Sequence, residues 1–178
     1  DHNAREVLDQ LASEASSGQL GWAKLWRAQY FLISGKRVKA RDFAVAARDS
    51  RPARDAEFSS LLARTLLDLD DAAGARVEAQ AAVKLAKHLD RHRLLLAEAL
   101  ISVGDLPAAE THLKQISNSP RADYLQGLIC FERDDLSEAE RRFTSAAHGE
   151  REAPLANLKR AEINLRKNQN QQAIKLLE

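Results

Sequence analysis

This sequence is poor in cysteine, which forms the disulfides that stabilise small folds, and it has no long apolar run of the kind found in membrane proteins. The 178 residues include no methionine, one cysteine, four prolines and seven glycines. The single cysteine excludes an intramolecular disulfide, and no apolar run approaches the roughly 18 residues of a membrane-spanning helix. We therefore expect no direct membrane insertion and a soluble segment that is cytoplasmic or periplasmic.

Signatures of catalysis are missing as well. Ser34-Gly35-Lys36 lacks the upstream glycine of a phosphate-binding loop, and no His-Glu-x-x-His occurs. His88 and His92 stand four residues apart, but two histidines flanking a predicted turn do not make a metal site, and solvated loop residues are the simpler interpretation. We predict that the protein is not an enzyme and has no catalytic residues, metal site, cofactor or small-molecule substrate.

Strand signals are few, whereas helix formers are abundant. No segment alternates cleanly between apolar and polar residues, and Ala, Leu, Glu, Arg, Lys and Gln dominate the composition. Turn-forming residues recur at short intervals, as in Gly104-Asp105 and Ser119-Pro120. The sequence therefore predicts an all-α fold of short helices joined by short loops.

Small residues recur in pairs with a fixed internal spacing. Each pair is Ala or Gly followed by Ala twelve positions later, and the second members lie 35, 34, 30 and 34 residues apart. The pairs are Ala28 and Ala40, Ala63 and Ala75, Ala97 and Ala109, Gly127 and Ala139, and Ala161 and Ala173. Because a large side chain would hold two helices apart where they cross, the pairs predict five helical hairpins.

A turn residue stands between the two members of every pair. Seven positions after the first member come Gly35, Asp70, Gly104, Asp134 and Asn168. These residue types tolerate the positive φ at which a helix ends and the chain reverses. Helix start signals follow, since Ser137-Glu138-Ala139-Glu140 matches a capping box, Pro107 suits a first turn and Ser119-Pro120 predicts an N-cap with a first-turn proline.

These features resemble the tetratricopeptide repeat family, in which about 34 residues form one helix-turn-helix unit. The small pairs stand at that family's positions 8 and 20, although its position-4 tryptophan is absent. The resemblance implies an α-α superhelix, a right-handed solenoid of hairpins forming one array over 1–178. It implies a leading helix in 1–20 and repeats at about 21–55, 56–89, 90–119, 120–153 and 154–178.

Comparison with the family pattern gives three further expectations. The spacing of 30 predicts that the second helix of the third repeat is shortened by about a turn and ends at Ser117-Asn118-Ser119-Pro120. Cys130 falls at a core position of the repeat, where an inert buried thiol is expected. Because residues 3–15 match only the second helix of a repeat and the final helix stops early, we expect a segment of a longer protein.

The resemblance also implies a concave groove lined by the first helix of each repeat. The candidate groove residues are Trp22, Leu25, Gln29, Leu32, Arg64, Leu94, Glu98, Tyr124, Leu128, Phe131, Leu158 and Glu162. This set lacks the Lys, Asn and Arg combination with which chaperone-binding relatives hold a terminal carboxylate, so an apolar peptide or amphipathic helix is the expected ligand. For Trp26 and Tyr30 we favour the alternative of packing on residues 3–15 or on parts outside this chain.

We therefore expect a non-enzymatic protein-protein interaction scaffold or adaptor that binds a partner peptide or helix. One alternative is a structural or regulatory arm of a larger membrane-associated assembly or secretion protein. A weaker alternative is nucleic-acid contact through the basic first repeat, although no aromatic residues are interleaved with its charges. The alanine-rich and arginine-rich composition suggests a bacterial source.

Overall fold

A computed structural model of the protein describes residues 17–178, with side chains from residue 19 onward. All regular structure in this range is helical. The helices are α1 Ser17–Ile33, α2 Arg37–Asp49, α3 Ala56–Asp68, α4 Ala72–Leu85, α5 Asp90–Ser102, α6 Leu106–Leu113, α7 Pro120–Glu132, α8 Leu136–Ala146, α9 Ala153–Arg166 and α10 Asn170–Leu177. The predicted helix at 3–15 lies outside the described residues, and residues 17–20 belong to α1.

The helices divide into two compact units, the first ending at Val103 and the second comprising Gly104–Glu178. In the first unit α1 pairs with α2 and α3 with α4, while α5 packs on both α3 and α4. In the second unit α7 pairs with α8 and α9 with α10, while α6 packs on α7 and α9 on α8. The prediction that all repeats form one array stays a prediction.

The small residues that predicted the hairpins are buried, as expected. None of the nine alanines in the five pairs is more than 2% exposed, and Gly127 is buried as well. Within α1 and α2, for example, Ala28 and Ala40 have no exposed surface. Small side chains at these positions allow two helices to approach closely enough for their backbones and neighbouring side chains to pack.

The five predicted turn residues all adopt the left-handed backbone conformation. Their φ angles are 71° at Gly35, 64° at Asp70, 80° at Gly104, 61° at Asp134 and 59° at Asn168. This confirms the prediction that each reversal uses a residue tolerant of positive φ. Arg54 and Asn118 have φ angles of 55° and 52° in the connections between hairpins, and Arg54 carries no sequence signal for this conformation.

Side-chain caps start most of the helices that follow turns. Asp55, Asp71, Asp105, Ser119 and Asp135 each accept a hydrogen bond from the backbone N–H three residues later. The predicted capping box at Ser137 is wrong, because Asp135 caps α8 and places Ser137 inside its first turn. The roles of Pro107 and Ser119-Pro120 are confirmed. So is the shortening of α6, which has 8 residues.

Gly127 shows how the core adjusts to the size of its neighbours. A Cβ atom at Gly127 would lie 2.6 Å from Cε1 of Phe143, and the Phe143 ring is fully buried. In the first and second repeats the equivalent two positions are both alanine, namely Ala28 with Ala44 and Ala63 with Ala79. In the fourth repeat the large Phe143 ring therefore occupies the space left by the missing Cβ of Gly127.

This exchange of volume predicts coupled effects of substitution. Gly127→Ala should lower the free energy of unfolding by about 1–3 kcal/mol through overpacking, and Phe143→Ala by about 3–5 kcal/mol through a cavity. The double variant restores the alanine pair of the first two repeats, so its loss should be smaller than the sum of the two. Urea unfolding of the four proteins measures this coupling, and strictly additive losses would contradict the packing described here.

Candidate partner-binding surface

The twelve candidate groove residues lie on the first helices of the hairpins or of the corresponding repeats. In the first unit they are Trp22, Leu25, Gln29 and Leu32 on α1, Arg64 on α3, and Leu94 and Glu98 on α5. In the second unit they are Tyr124, Leu128 and Phe131 on α7, and Leu158 and Glu162 on α9. We call these residues the first-helix surface and treat each unit by itself.

Three of these residues are buried, so their prediction as exposed groove contacts is wrong. Leu25 has no exposed surface because it belongs to the core cluster that contains Phe31 and Phe58. Tyr124 and Phe131 are only 9% and 6% exposed.

Neighbouring side chains account for the burial of these two rings. Tyr124 packs against Phe143 at a centroid distance of 5.6 Å, and the Arg121 guanidinium lies 5.3 Å from its ring centre. Lys159 and Arg166 of α9 cover Phe131, with their cationic groups 4.9 Å and 4.0 Å from the ring centre. Such cation–π contacts stabilise a cation on an aromatic face and remove that face from solvent.

The polar members of the surface in the first unit bind to one another or to their neighbours. Arg64 donates two hydrogen bonds to the Glu98 carboxylate, at 2.9 Å and 2.8 Å. Although burial opposes it, this hydrogen bond and the charge of Glu98 raise the pKa of Arg64. Gln29 Nε2 donates to Thr65 Oγ1 at 2.6 Å. These groups therefore form bridges from α1 to α3 and from α3 to α5.

The aromatic residues of α1 form a small cluster beside these bridges. The Trp22 ring stacks on Trp26 at a centroid distance of 6.2 Å and meets Phe58 edge-on at 5.3 Å. Trp22 Nε1 donates to Asp55 Oδ2 at 3.0 Å. Trp26 remains 51% exposed, while Tyr30 packs against the core. Whether either ring contacts residues 3–15 lies outside the described residues.

Leucines supply most of the remaining accessible surface. Leu32, Leu94 and Leu128 are half-buried, and Leu158 is 54% exposed. Charges near these leucines are paired, as in Arg64–Glu98 and in Lys159–Glu162 at 2.9 Å, so the leucines are the accessible part of the first-helix surface that has no polar partner. Exposed apolar residues of this kind mark surfaces that associate with other molecules.

His92 is not the solvated loop residue that the sequence suggested. It lies in the first turn of α5, has no exposed surface, and neither ring nitrogen has a hydrogen-bond partner. Its Nε2 is 3.6 Å from Glu57 Oε1. Burial lowers the pKa of His92, despite the opposing charge of Glu57 and with a smaller contribution from Arg91 and His88.

Other reactive groups in the described part of the chain do not form a site. Cys130 is half-buried, and burial together with the charges of Glu138 and Asp135 raises its thiol pKa. A raised pKa leaves little thiolate near neutral pH, which fits the expected inert thiol. Between residues 17 and 178 no three His, Cys, Asp or Glu residues cluster as metal ligands. No described helix has the length and apolar content needed to cross a membrane.

The buried His92 predicts a pH dependence of stability. Its folded-state pKa is below the unfolded value of about 6.5, so its neutral form favours folding above that pH. As pH falls through 6.5 the unfolded chain takes up the proton first, and the free energy of unfolding decreases. Urea unfolding between pH 7.5 and 5.5 should show a smaller decrease for His92→Gln than for the unchanged protein. His88→Gln, an exposed control, should keep the original decrease, and an unchanged pH profile in His92→Gln would contradict the prediction.

Comparisons with known proteins agree on the fold. Residues 91–115 match the family model described as tetratricopeptide repeat, while no curated protein matches the sequence. A chain of the APC/C hetero-tetramer Cut9-Hcn1 is similar with a TM-score of 0.73 and 15% identity, over 97% of this chain and 34% of that one. Rap protein, complexed with competence and sporulation factor, is similar with a TM-score of 0.73 and 18% identity, over 97% of this chain and 56% of the Rap chain.

MamA 41-end from Desulfovibrio magneticus RS-1 gives a TM-score of 0.64 at 17% identity, over 91% of this chain and 92% of that one. The chain thus spans about one third of the Cut9-Hcn1 chain and just over half of Rap. Together with the buried small pairs and the positive-φ turns, these likenesses confirm the expected all-α helical-repeat fold. Residues 91–115 are thus similar to a tetratricopeptide repeat, and over most of its length the chain has the helical-repeat fold of these solved structures.

Proposed function

We propose that the protein is a non-enzymatic interaction module whose first-helix surface binds an apolar or amphipathic helical segment of a protein partner. The fold generally mediates protein-protein interaction, and two similar solved structures are complexes, one of Cut9 with Hcn1 and one of Rap with competence and sporulation factor.

One observation supports this assignment most strongly: the charged residues of the first-helix surface, Arg64, Glu98 and Glu162, are paired, while Leu32, Leu94, Leu128 and Leu158 are half-buried or exposed. The Arg64 guanidinium is occupied by Glu98, and Lys159 and Arg166 both lie within salt-bridge distance of Glu162. A terminal carboxylate would have to break such pairs in order to bind. An apolar side chain needs only to cover leucines such as Leu94 or Leu158.

The partner that fits this surface is a segment with apolar residues along one side. A helix presents such a stripe at spacings of three and four residues, and it can place leucine or phenylalanine side chains against exposed leucines of either unit. Its own polar residues would meet the bridged pairs without displacing them. The buried Leu25, Tyr124 and Phe131 support the surface from beneath and do not touch the partner.

Selection of peptides from a random library displayed on phage tests the proposal directly. Peptides selected on the unchanged protein should be rich in apolar residues and should bind Leu158→Asp or Leu94→Ser at least about tenfold more weakly, because each change places a polar group against the apolar ligand. Fluorescence polarisation measures the affinities. Circular dichroism checks that each variant remains folded.

Val77→Asp is the matched control, since Val77 is 57% exposed on the second helix α4. It introduces the same charge as Leu158→Asp at a position outside the first-helix surface, and the selected peptides should bind it unchanged. Peptides that lose affinity for Val77→Asp while binding the Leu158 and Leu94 variants normally would overturn the assignment of the surface.

The last hairpin favours a second candidate, namely a structural or regulatory arm of a larger assembly. Leu158, Leu165 and Leu177 are each more than half exposed. At the equivalent repeat positions the fourth repeat buries Tyr124, Phe131 and Phe143. A helix from the larger assembly that covers these leucines would bury them in the same way. In that case a longer protein would protect Leu158 from solvent and would not bind the selected peptides.

A further inference from the structure

Each unit contains a cleft between the second helix of one repeat and the hairpin of the next. In the first unit this cleft has a volume of about 110 Å³ and lies between α2 and the following hairpin α3/α4. We call it the α2 cleft. Its lining includes Arg41, Val45 and Arg48 from α2, and Leu66, Leu69 and Asp71 from the hairpin.

The second unit contains a cleft in the equivalent position of the repeat, with a volume of about 190 Å³. It lies between α6 and the hairpin α7/α8, and Glu110, Lys114 and Arg133 replace Arg41, Val45 and Leu69 of the α2 cleft. Its charges are paired with each other. Arg133 is 3.3 Å and Lys114 is 3.7 Å from the Glu110 carboxylate, while Arg142 is 2.8 Å from Glu138.

The charges of the α2 cleft are not neutralised in this way. Arg41 Nη2 donates to the backbone oxygen of Leu69 at 3.0 Å, which is a neutral acceptor. The Arg48 guanidinium has no carboxylate partner among residues 19–178. The carboxylate of Asp71 accepts from the Gly74 backbone N–H as the cap of α4. The cleft therefore presents cationic groups whose pairing capacity is open to a ligand.

Apolar side chains alternate with these arginines along one face of α2. Val38, Arg41, Val45 and Arg48 follow one another at intervals of three and four residues, which places them on a single helix face. Val38 is 76% and Val45 is 41% exposed. A surface of this composition matches a ligand that is both acidic and apolar. Duplex nucleic acid, by contrast, offers phosphates that gain nothing from exposed valines.

We propose that the α2 cleft is a second protein-binding site, which takes an acidic amphipathic segment of a partner. Carboxylates of the segment pair with Arg41 and Arg48, and an apolar side chain between them covers Val45 and Leu69. The site is distinct from the first-helix surface, because its two arginines and Val45 lie on α2, which carries none of the twelve first-helix residues, although Leu66 of its lining lies on α3.

The test uses a fluorescein-labelled helical peptide of glutamate and leucine, with its leucines three and four positions apart. The unchanged protein should bind this peptide at low salt, and binding should weaken as salt increases. Arg41→Glu with Arg48→Glu should reduce the affinity at least about tenfold, because two charge-assisted contacts become repulsive. Both arginines are exposed, so circular dichroism should show an unchanged fold.

Two controls distinguish binding in the cleft from attraction by net charge and from apolar contact elsewhere on the surface. Lys84→Glu with Lys87→Glu makes the same change in net charge at exposed positions outside the cleft, and it should keep the affinity within about twofold. Val45→Asp should weaken binding whereas Val77→Asp should not, since only Val45 lines the cleft.

Three results would overturn the proposal. The first is an equal loss of affinity in the double arginine variant and the double lysine variant, because the peptide would then be attracted by the net charge of the protein and not by the cleft. The second is equal binding by a peptide with lysine in place of glutamate. The third is that duplex DNA or phosphatidylserine vesicles bind more tightly than the peptide and depend in the same way on Arg41 and Arg48. The cleft would then bind the anions of nucleic acid or lipid.

Discussion

The close crossing of two helices within a hairpin is the contact on which the rest of this structure depends. It requires side chains no larger than a methyl group where the helices meet, and Ala28, Ala40, Ala63 and Ala75 meet this requirement without any exposed surface. A larger side chain near the crossing must be compensated by a smaller residue beside it. Phe143 is accommodated because Gly127 has no Cβ, so the same packing density is reached with a different distribution of volume.

The crossing also decides which groups remain for other molecules. In the first unit, side chains on successive first helices come within hydrogen-bond distance, and Arg64 therefore binds Glu98 while Gln29 binds Thr65. These polar groups stabilise the stacking and leave leucines as the accessible feature. In the α2 cleft the balance is reversed. Arg41 reaches only a backbone oxygen, and Arg48 faces a cleft.

Local features could be predicted well from the sequence. Asp70, Asp134 and Asn168 have positive φ because a hairpin must reverse within a few residues, and residue type and spacing alone indicate where this happens. The burial of the paired alanines follows from the same periodicity. Even the shortened α6 could be predicted, because the missing residues appear directly as a spacing of 30 instead of 34 or 35.

Features that depend on neighbouring side chains could not be predicted. Phe131 is buried because Lys159 and Arg166 lie over its ring, and one repeat's pattern does not contain that information. Leu25 likewise packs in a cluster that includes Phe58 of the next repeat, whereas Tyr124 is covered by Arg121 and Phe143 of its own repeat. One cap prediction failed for another reason, because Asp135 caps α8 in place of Ser137. The positive φ of Arg54 was not predicted, because arginine rarely adopts this conformation.

A pair of matched substitutions in the hairpin α3/α4 measures the importance of the close crossing most directly. Ala63 has no exposed surface, whereas Ala73, two residues before Ala75 of the same crossing, is exposed. If the crossing determines the fold, Ala63→Leu lowers the free energy of unfolding by about 1–3 kcal/mol or more, and Ala73→Leu changes it by less than about 0.5 kcal/mol. Equal stability of the two variants in urea unfolding would contradict the account.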